Sequence, residues 1–300
     1  MQVTWPGDRC VLCLNRAPLT KEHIIPASLG SALTCAFLCK RCNSNVGAHL
    51  ESEAKTDPSI RLAIGHLRSA IPKLAAKLTE GQEFISHGPG GTGRGTVKDG
   101  EFRTRSRSET DGSIIQPTDH ARKSITKILR KSGVGDSPIE EALRRSDEAP
   151  ENERVSLAPG LDVVKWRVDR IEPDLRKGVL LKPLVPLKIA YEFLACHLGT
   201  ATYGHANQMS ELRMVLRERI ESHPCYAVER LHASEYKPCH GIVFEGNEPY
   251  AKVLIRLFGS LAFRVHFKNL AVCGHRFVYT HQLDSNEEDV RILKCEKTAP

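Results

Sequence analysis

The first 57 residues show no sustained apolar period and are dense in Cys, Asn and Gly. From Asp57 the pattern changes. Asp57 suits a helix cap and Pro58 the first helical position, and Ile60, Ile64, Leu67 and Ile71 recur at helical spacing. This predicts a helix over about 58–71 that Pro72 kinks or ends. Strand character near Glu83–Ser86 and Glu101–Arg105 flanks the glycine-rich run 87–96, HGPGGTGRGT. That run lacks both GxxxxGK[ST] and a GxGxxG set between strand and helix, so it reads as a flexible hairpin-like loop rather than a phosphate cradle. Residues 119–132 read as a helix with Ala121, Ile125, Ile128 and Leu129 turned to a core, Lys123, Lys127, Arg130 and Lys131 on another side, and Gly133 as its stop.

Ser132 to Leu157 is polar and rich in turn formers, and reads as a linker over 136–155. Beyond it, Leu184, Leu187, Tyr191, Leu194 and Leu198 follow helical spacing, as do Met209, Leu212, Leu216 and Ile220, which predicts two amphipathic helices. Strand-like runs then follow at 241–245, 251–258, 261–267 and 276–280, with turn signals at Gly246-Asn247 and Gly259-Ser260. The pattern as a whole predicts an α+β chain with an antiparallel meander: a small module over 1–57, a basic helical and hairpin extension over 58–135, the linker, and a C-terminal α+β domain over 156–300 whose role the sequence leaves open.

At 300 residues, with 40% hydrophobic and 26% charged positions, the composition is globular and excludes wholesale disorder or a fibrous repeat. The most apolar stretch, 179–198, is interrupted by Lys182, Lys188, Glu192 and two prolines, and nothing marks the chain for a membrane or for export. A cytoplasmic location is the expectation. The net charge of +7 is uneven: residues 58–135 hold 14 basic and 7 acidic side chains, while the segments on either side are close to balanced. The basic face of the helix over 119–132 suits either solvent or a polyanion.

Five of the ten cysteines fall in the first 42 residues. Cys10-x2-Cys13 and Cys39-x2-Cys42 are two knuckles, each able to place two thiolates on one side of a tight turn. Together they suit a tetrahedral structural Zn²⁺ site, and a bound ion explains how so small a segment could fold. Two disulfides are the alternative, disfavoured without a secretory signal. Cys35 stands outside both knuckles as a buried or free thiol. Neither Cys239-His240 nor Cys273-x-His275 has knuckle spacing, so both read as core or chance placements.

Between the knuckles lies Glu22-His23-Ile24-Ile25-Pro26, and the second knuckle continues into Asn43-Ser44-Asn45. Over residues 10–60 this resembles the HNH endonucleases, in the branch where EHIIP sits between two CxxC pairs and the second pair reads CxxCN. The resemblance implies a zinc-stabilised ββα-metal unit and cleavage of DNA, or RNA, to 3′-hydroxyl and 5′-phosphate ends. It implies that His23 is the general base, that Glu22 is the acidic metal ligand where the wider family more often has Asp, and that Asn43, or Asn45 in second rank, is an oxygen ligand to Mg²⁺ or another divalent cation. The chemistry is coherent: phosphodiester hydrolysis needs a water-derived nucleophile and a cation near the scissile phosphate. On a regular strand Glu22 and His23 point to opposite faces, so a turn or bulge has to reconcile them.

Other readings stand beside these. Asn43 could simply cap a helix, and His49 and Glu51 read as surface residues, with support of the metal-binding side chains from behind as the alternative. The basic residues 123, 127, 130 and 131 would grip a nucleic-acid backbone in a salt-dependent way. A non-catalytic, zinc-stabilised nucleic-acid-binding protein and a zinc-bearing protein adaptor are the competing classes. The C-terminal domain would select the target, bind a protein partner or form a homodimer.

Overall fold

The computed structural model describes residues 1–89, 91–98, 101–108, 113–118, 121–159, 161–173, 181–204, 206–232, 235–247, 250–268, 270 and 275–294. The architecture is mixed, with helices and largely antiparallel sheets. The chain divides into two compact units: residues 1–78 with 178–300, and residues 79–177. This differs from the expected linear order of module, extension, linker and C-terminal domain. The N-terminal segment is too small to bury a core alone, and its apolar residues share one continuous core with the C-terminal segment.

In the first unit, the antiparallel strands Leu19–His23 and Thr34–Cys39 lead into a helical run made of Lys40–Cys42, a π-helical turn Asn43–Gly47 and the helix Ala48–Thr56. The short strand Gln2–Val3 adds to the hairpin in parallel. The expected 58–71 helix runs over Pro58–His66, with the Asp57 carboxylate accepting from Ile60 N at 2.9 Å. A separate helix begins at Pro72 and ends at Leu78.

The helix Leu184–Leu198 departs from amphipathic expectation: its residues from Leu184 to Ala195 are all buried. It packs against the helix Ala48–Thr56 on one side and against a six-stranded antiparallel sheet on the other, and a helix covered on both sides has no solvent face to keep polar. That sheet runs in the order Tyr226–His232, Leu261–Phe267, Tyr250–Leu257, Cys239–Asn247, His275–Gln282, Glu287–Lys294. Its four inner strands were expected. The two edge strands were not, because their exposed, charge-rich sequences (Glu287, Glu288 and Asp289 in one) lack a clean apolar alternation, a common property of edges. At the predicted Gly259 turn, φ is +69° and an added Cβ would lie 2.6 Å from Lys237 N, so glycine is required.

The second unit carries the sheet Arg170–Pro173, Glu83–Gly88, Gly91–Lys98, Glu101–Thr104 and a second sheet Arg107–Ser108, Ile114–Pro117, Leu161–Trp166, Arg154–Ala158. The helices Ala121–Lys131 and Asp136–Glu148 form a small core with Leu157, Leu161 and Val163. The expected linker is therefore largely helix. Its turn formers serve as the helix start, with Pro138 in the first turn, and Ile139, Ala142 and Ser146 face inward. The glycine run is a hairpin: most of it lies in strands, and only Gly90 falls outside the described residues. A Cβ at Gly93 would come within 2.8 Å of the Trp166 ring, so this glycine accommodates an aromatic side chain rather than a phosphate.

The Asp57 cap gives a direct test. Asp57→Ala should lower stability by about 1 kcal/mol, the usual worth of such a cap, while Asp57→Asn should preserve most of it. Urea denaturation followed by circular dichroism measures both.

Candidate nuclease and zinc sites

The four knuckle sulfurs lie within 4.8 Å of one another, and Cys13 Sγ is 3.8 Å from Cys39 Sγ. A tetrahedron of thiolates at the usual Zn–S length of about 2.3 Å has edges of about 3.8 Å, the Cys13–Cys39 separation, so the cluster is of a size to hold zinc. The first knuckle is closed by Leu14 N donating to Cys10 O, with Leu14 at φ +61°, and is anchored by Val11 N donating to Phe37 O. The second spans a strand end and a helix start. Hydrogen bonding from Cys42 draws the Cys10 thiol down to about 4 and holds the Cys42 proton in place, while burial raises Cys13. Four adjacent thiols cannot all ionise unless a cation compensates them. Cys35, the spare thiol, is fully buried.

Glu22 and His23 end the first hairpin strand. The register slips between Thr20 and Lys21, which pair with Leu38 and Ala36, so Phe37 is the extra residue on the partner strand. This bulge twists the strand end, and Glu22, His23, Asn43 and Glu51 all line one cleft of about 240 Å³. Glu22 is buried and His23 half-buried. Burial lowers the His23 pKa below its ordinary value, against the pull of Glu22, and favours the neutral imidazole. Asn43 Nδ2 donates to Thr20 Oγ1 and to Lys21 O, both at 3.1 Å, which leaves its amide oxygen as the atom able to meet a cation.

Asn45 is not brought to this cleft. It lines a separate, larger hollow beside Cys39 and Cys42, and its carbonyl accepts from Arg219. The Asn43–Gly47 turn sends the two asparagines in different directions. Glu51, read as a surface residue, is half-buried: it faces the cleft and accepts from Ser28 N at 2.9 Å, whereas His49 is exposed as expected.

The sequence reading missed Lys188. Its ammonium, from the middle of the buried helix, donates to Glu22 Oε1 at 2.6 Å and to His23 O at 2.6 Å, and lies 2.8 Å from Glu192 Oε2. Lys188 and Glu192 are 2% and 1% exposed, so this is a buried charge cluster and not a surface pair. Burial disfavours the ammonium, but the attraction of Glu192 and Glu22 outweighs it and Lys188 titrates above its ordinary value; Glu192 is pushed well up by burial. The one available signal was that Lys188 and Glu192, one helical turn apart, interrupt an otherwise apolar helix.

The basic residues 123, 127, 130 and 131 are exposed on the helix Ala121–Lys131. Lys123, Lys127 and Arg130 share a shallow surface with Arg122, and Arg130 pairs with Asp136 at 3.3 Å. Lys131 does not line it. His240, set aside as a metal ligand, is a core residue: Nε2 meets Leu29 O at 3.0 Å and burial lowers its pKa to about 4. Cys273 lies outside the described residues.

Among known proteins, residues 10–59 match the sequence model of the HNH endonuclease family. No curated protein and no solved structure matches the chain. No helix among the described residues is long and apolar enough to cross a membrane.

Replacing Lys188 by Met should leave the buried carboxylates of Glu22 and Glu192 without the cation they share, at a cost of about 3–5 kcal/mol. The loss should shrink as pH falls and Glu192, which burial holds well above the ordinary carboxylate value, takes up a proton, since protonation removes uncompensated charge. Thermal unfolding of wild type and variant between neutral and mildly acidic pH checks the sign; a deficit independent of pH would contradict it.

Proposed function

We propose that the chain is a metal-dependent HNH endonuclease that hydrolyses DNA phosphodiester bonds, with His23 as general base. The observation that carries this reading is the convergence of Glu22, half-buried His23 and Asn43 on one cleft, apart from the four sulfurs, within the stretch that matches the family. Glu22 keeps Oε2 beyond its Lys188 bond, Asn43 keeps its amide oxygen, and Glu51 adds a carboxylate at the rim. These are hard oxygen donors of the kind that hold Mg²⁺ or Mn²⁺. A cation held there would neutralise charge on the leaving oxygen.

His23 takes a proton from the attacking water as the new P–O bond forms. The bond from phosphorus to the 3′-oxygen breaks, and that oxygen gains a proton to become a hydroxyl. Lys188 fixes the Glu22 carboxylate and the His23 carbonyl, so the imidazole is presented from an anchored backbone. Zinc at the knuckles holds the hairpin to the following helix and takes no part in the chemistry. Exposed Lys123 and Lys127, which have no ion-pair partner among the described residues, would contact the nucleic-acid backbone.

The second reading, a non-catalytic zinc-stabilised nucleic-acid-binding protein, draws on the Lys188 contact to Glu22 Oε1, because that ammonium competes with a cation for the same carboxylate.

Plasmid nicking with Mg²⁺ or Mn²⁺ separates the two. Wild type should nick, and His23→Ala should keep its zinc and far-ultraviolet spectrum while losing about 100-fold or more in rate. If wild type leaves plasmid, linear and single-stranded DNA intact with every divalent metal, the binding reading prevails. Protonation disables the base, and burial lowers the pKa of His23. The acid limb of the rate profile should therefore fall below pH 6.5, the ordinary His value; a limb above it contradicts the assignment.

A further inference from the structure

We infer that Glu211, His223 and Cys225 form a second zinc site, where the helix Ala206–Glu218 meets the strand Tyr226–His232. One ligand atom from each lies within 4.8 Å of the other two. Around a tetrahedral zinc, mixed sulfur, nitrogen and oxygen ligands stand about 3.4–3.6 Å apart, so a small closure of the three ligand atoms completes the geometry. None of these residues belongs to the Cys10, Cys13, Cys39, Cys42 cluster.

The loop that carries His223 and Cys225 is tightly tied. Tyr226 N donates to His223 O at 3.3 Å, closing a turn around Pro224, whose ring restricts the backbone. Lys268 N donates to Cys225 O at 3.0 Å, and Tyr226 Oη donates to Ile220 O at 3.0 Å, fastening the loop to the neighbouring strand and to the end of the helix. The backbone that carries two of the three ligands is thus held before any ion arrives. This pre-organisation distinguishes the trio from a chance meeting of surface groups.

Ligand chemistry selects the metal. A thiolate and an imidazole favour Zn²⁺ over Mg²⁺ or Ca²⁺, and three protein ligands leave a fourth position for water. Such a site binds zinc more weakly than four thiolates do and exchanges it more readily. Its mechanical effect is to pin the helix to the edge of the sheet. Arg219, one residue past that helix, donates to Asn45 O in the nuclease module, so zinc would stiffen the support of the turn that carries Asn43 and Asn45.

Equilibrium dialysis of the purified, knuckle-loaded protein against Zn²⁺, followed by elemental analysis, tests the site. Wild type should saturate at two zinc ions per chain, and Glu211→Gln, His223→Ala and Cys225→Ser should each retain one under the same conditions. Glu211 is exposed, so Glu211→Gln remains informative if the other variants fold poorly. Substituted Co²⁺ should lose a thiolate charge-transfer contribution in Cys225→Ser. The inference is overturned if wild type saturates at one zinc, or if Glu211→Gln and His223→Ala still hold two. Either result is independent of whether the protein cleaves DNA.

Discussion

A lysine ammonium with almost no access to water governs the arrangement of the first unit. Lys188 lies inside a helix buried from Leu184 to Ala195, and an ion in that position persists only where opposite charge and hydrogen-bond acceptors surround it. Glu192, one turn along, supplies one carboxylate; Glu22 and the His23 carbonyl, from a hairpin some 165 residues earlier in the chain, supply the rest. The helix therefore cannot slide or rotate against the hairpin without stranding a charge. Polar contacts of this kind add little net stability but specify one packing arrangement in some systems, and here the specified arrangement includes the cleft.

Three further devices fix that cleft. The bulge at Phe37 re-aims the strand end so that Glu22 and His23 contribute to the same hollow. The π-helical turn separates Asn43 from Asn45 and directs the first toward His23. The four sulfurs stand close enough for one zinc ion to join hairpin to helix, beside the apolar core that the same segment shares. The same central helix also reaches the first knuckle, where Tyr191 Oη donates to Val11 O at 2.8 Å. Zinc site and cleft are thus braced by one element, Leu184–Leu198, that lies outside the matched stretch.

What the sequence made legible follows the range of the forces involved. The knuckles, the EHIIP segment, the Asp57 cap and the inner strands are local signals, written within a few residues of where they act. The role of Lys188 was not legible, because a lysine in an apolar helix only becomes explicable once its partner Glu22 is brought from the far end of the unit. The division of the chain was hidden for the same reason: residues 79–177 separate two segments that share a core, and local composition carries no record of that pairing. The helix Asp136–Glu148 was obscured by the turn formers at its ends, although Glu141, Arg144 and Glu148 carry the spacing of helical ion pairs.

The proposed function requires a divalent cation beside His23, in a cleft that Lys188 also lines. The most direct test is a Mn²⁺ titration of the zinc-loaded protein, monitored through the side-chain NMR signals of its histidines. Paramagnetic broadening should reach the His23 ring first, saturate, and be competed by Mg²⁺, and it should be lost in Glu22→Gln while the other histidines are unaffected. Broadening spread evenly over the exposed histidines, or broadening of His23 that survives Glu22→Gln and Asn43→Ala together, would contradict it.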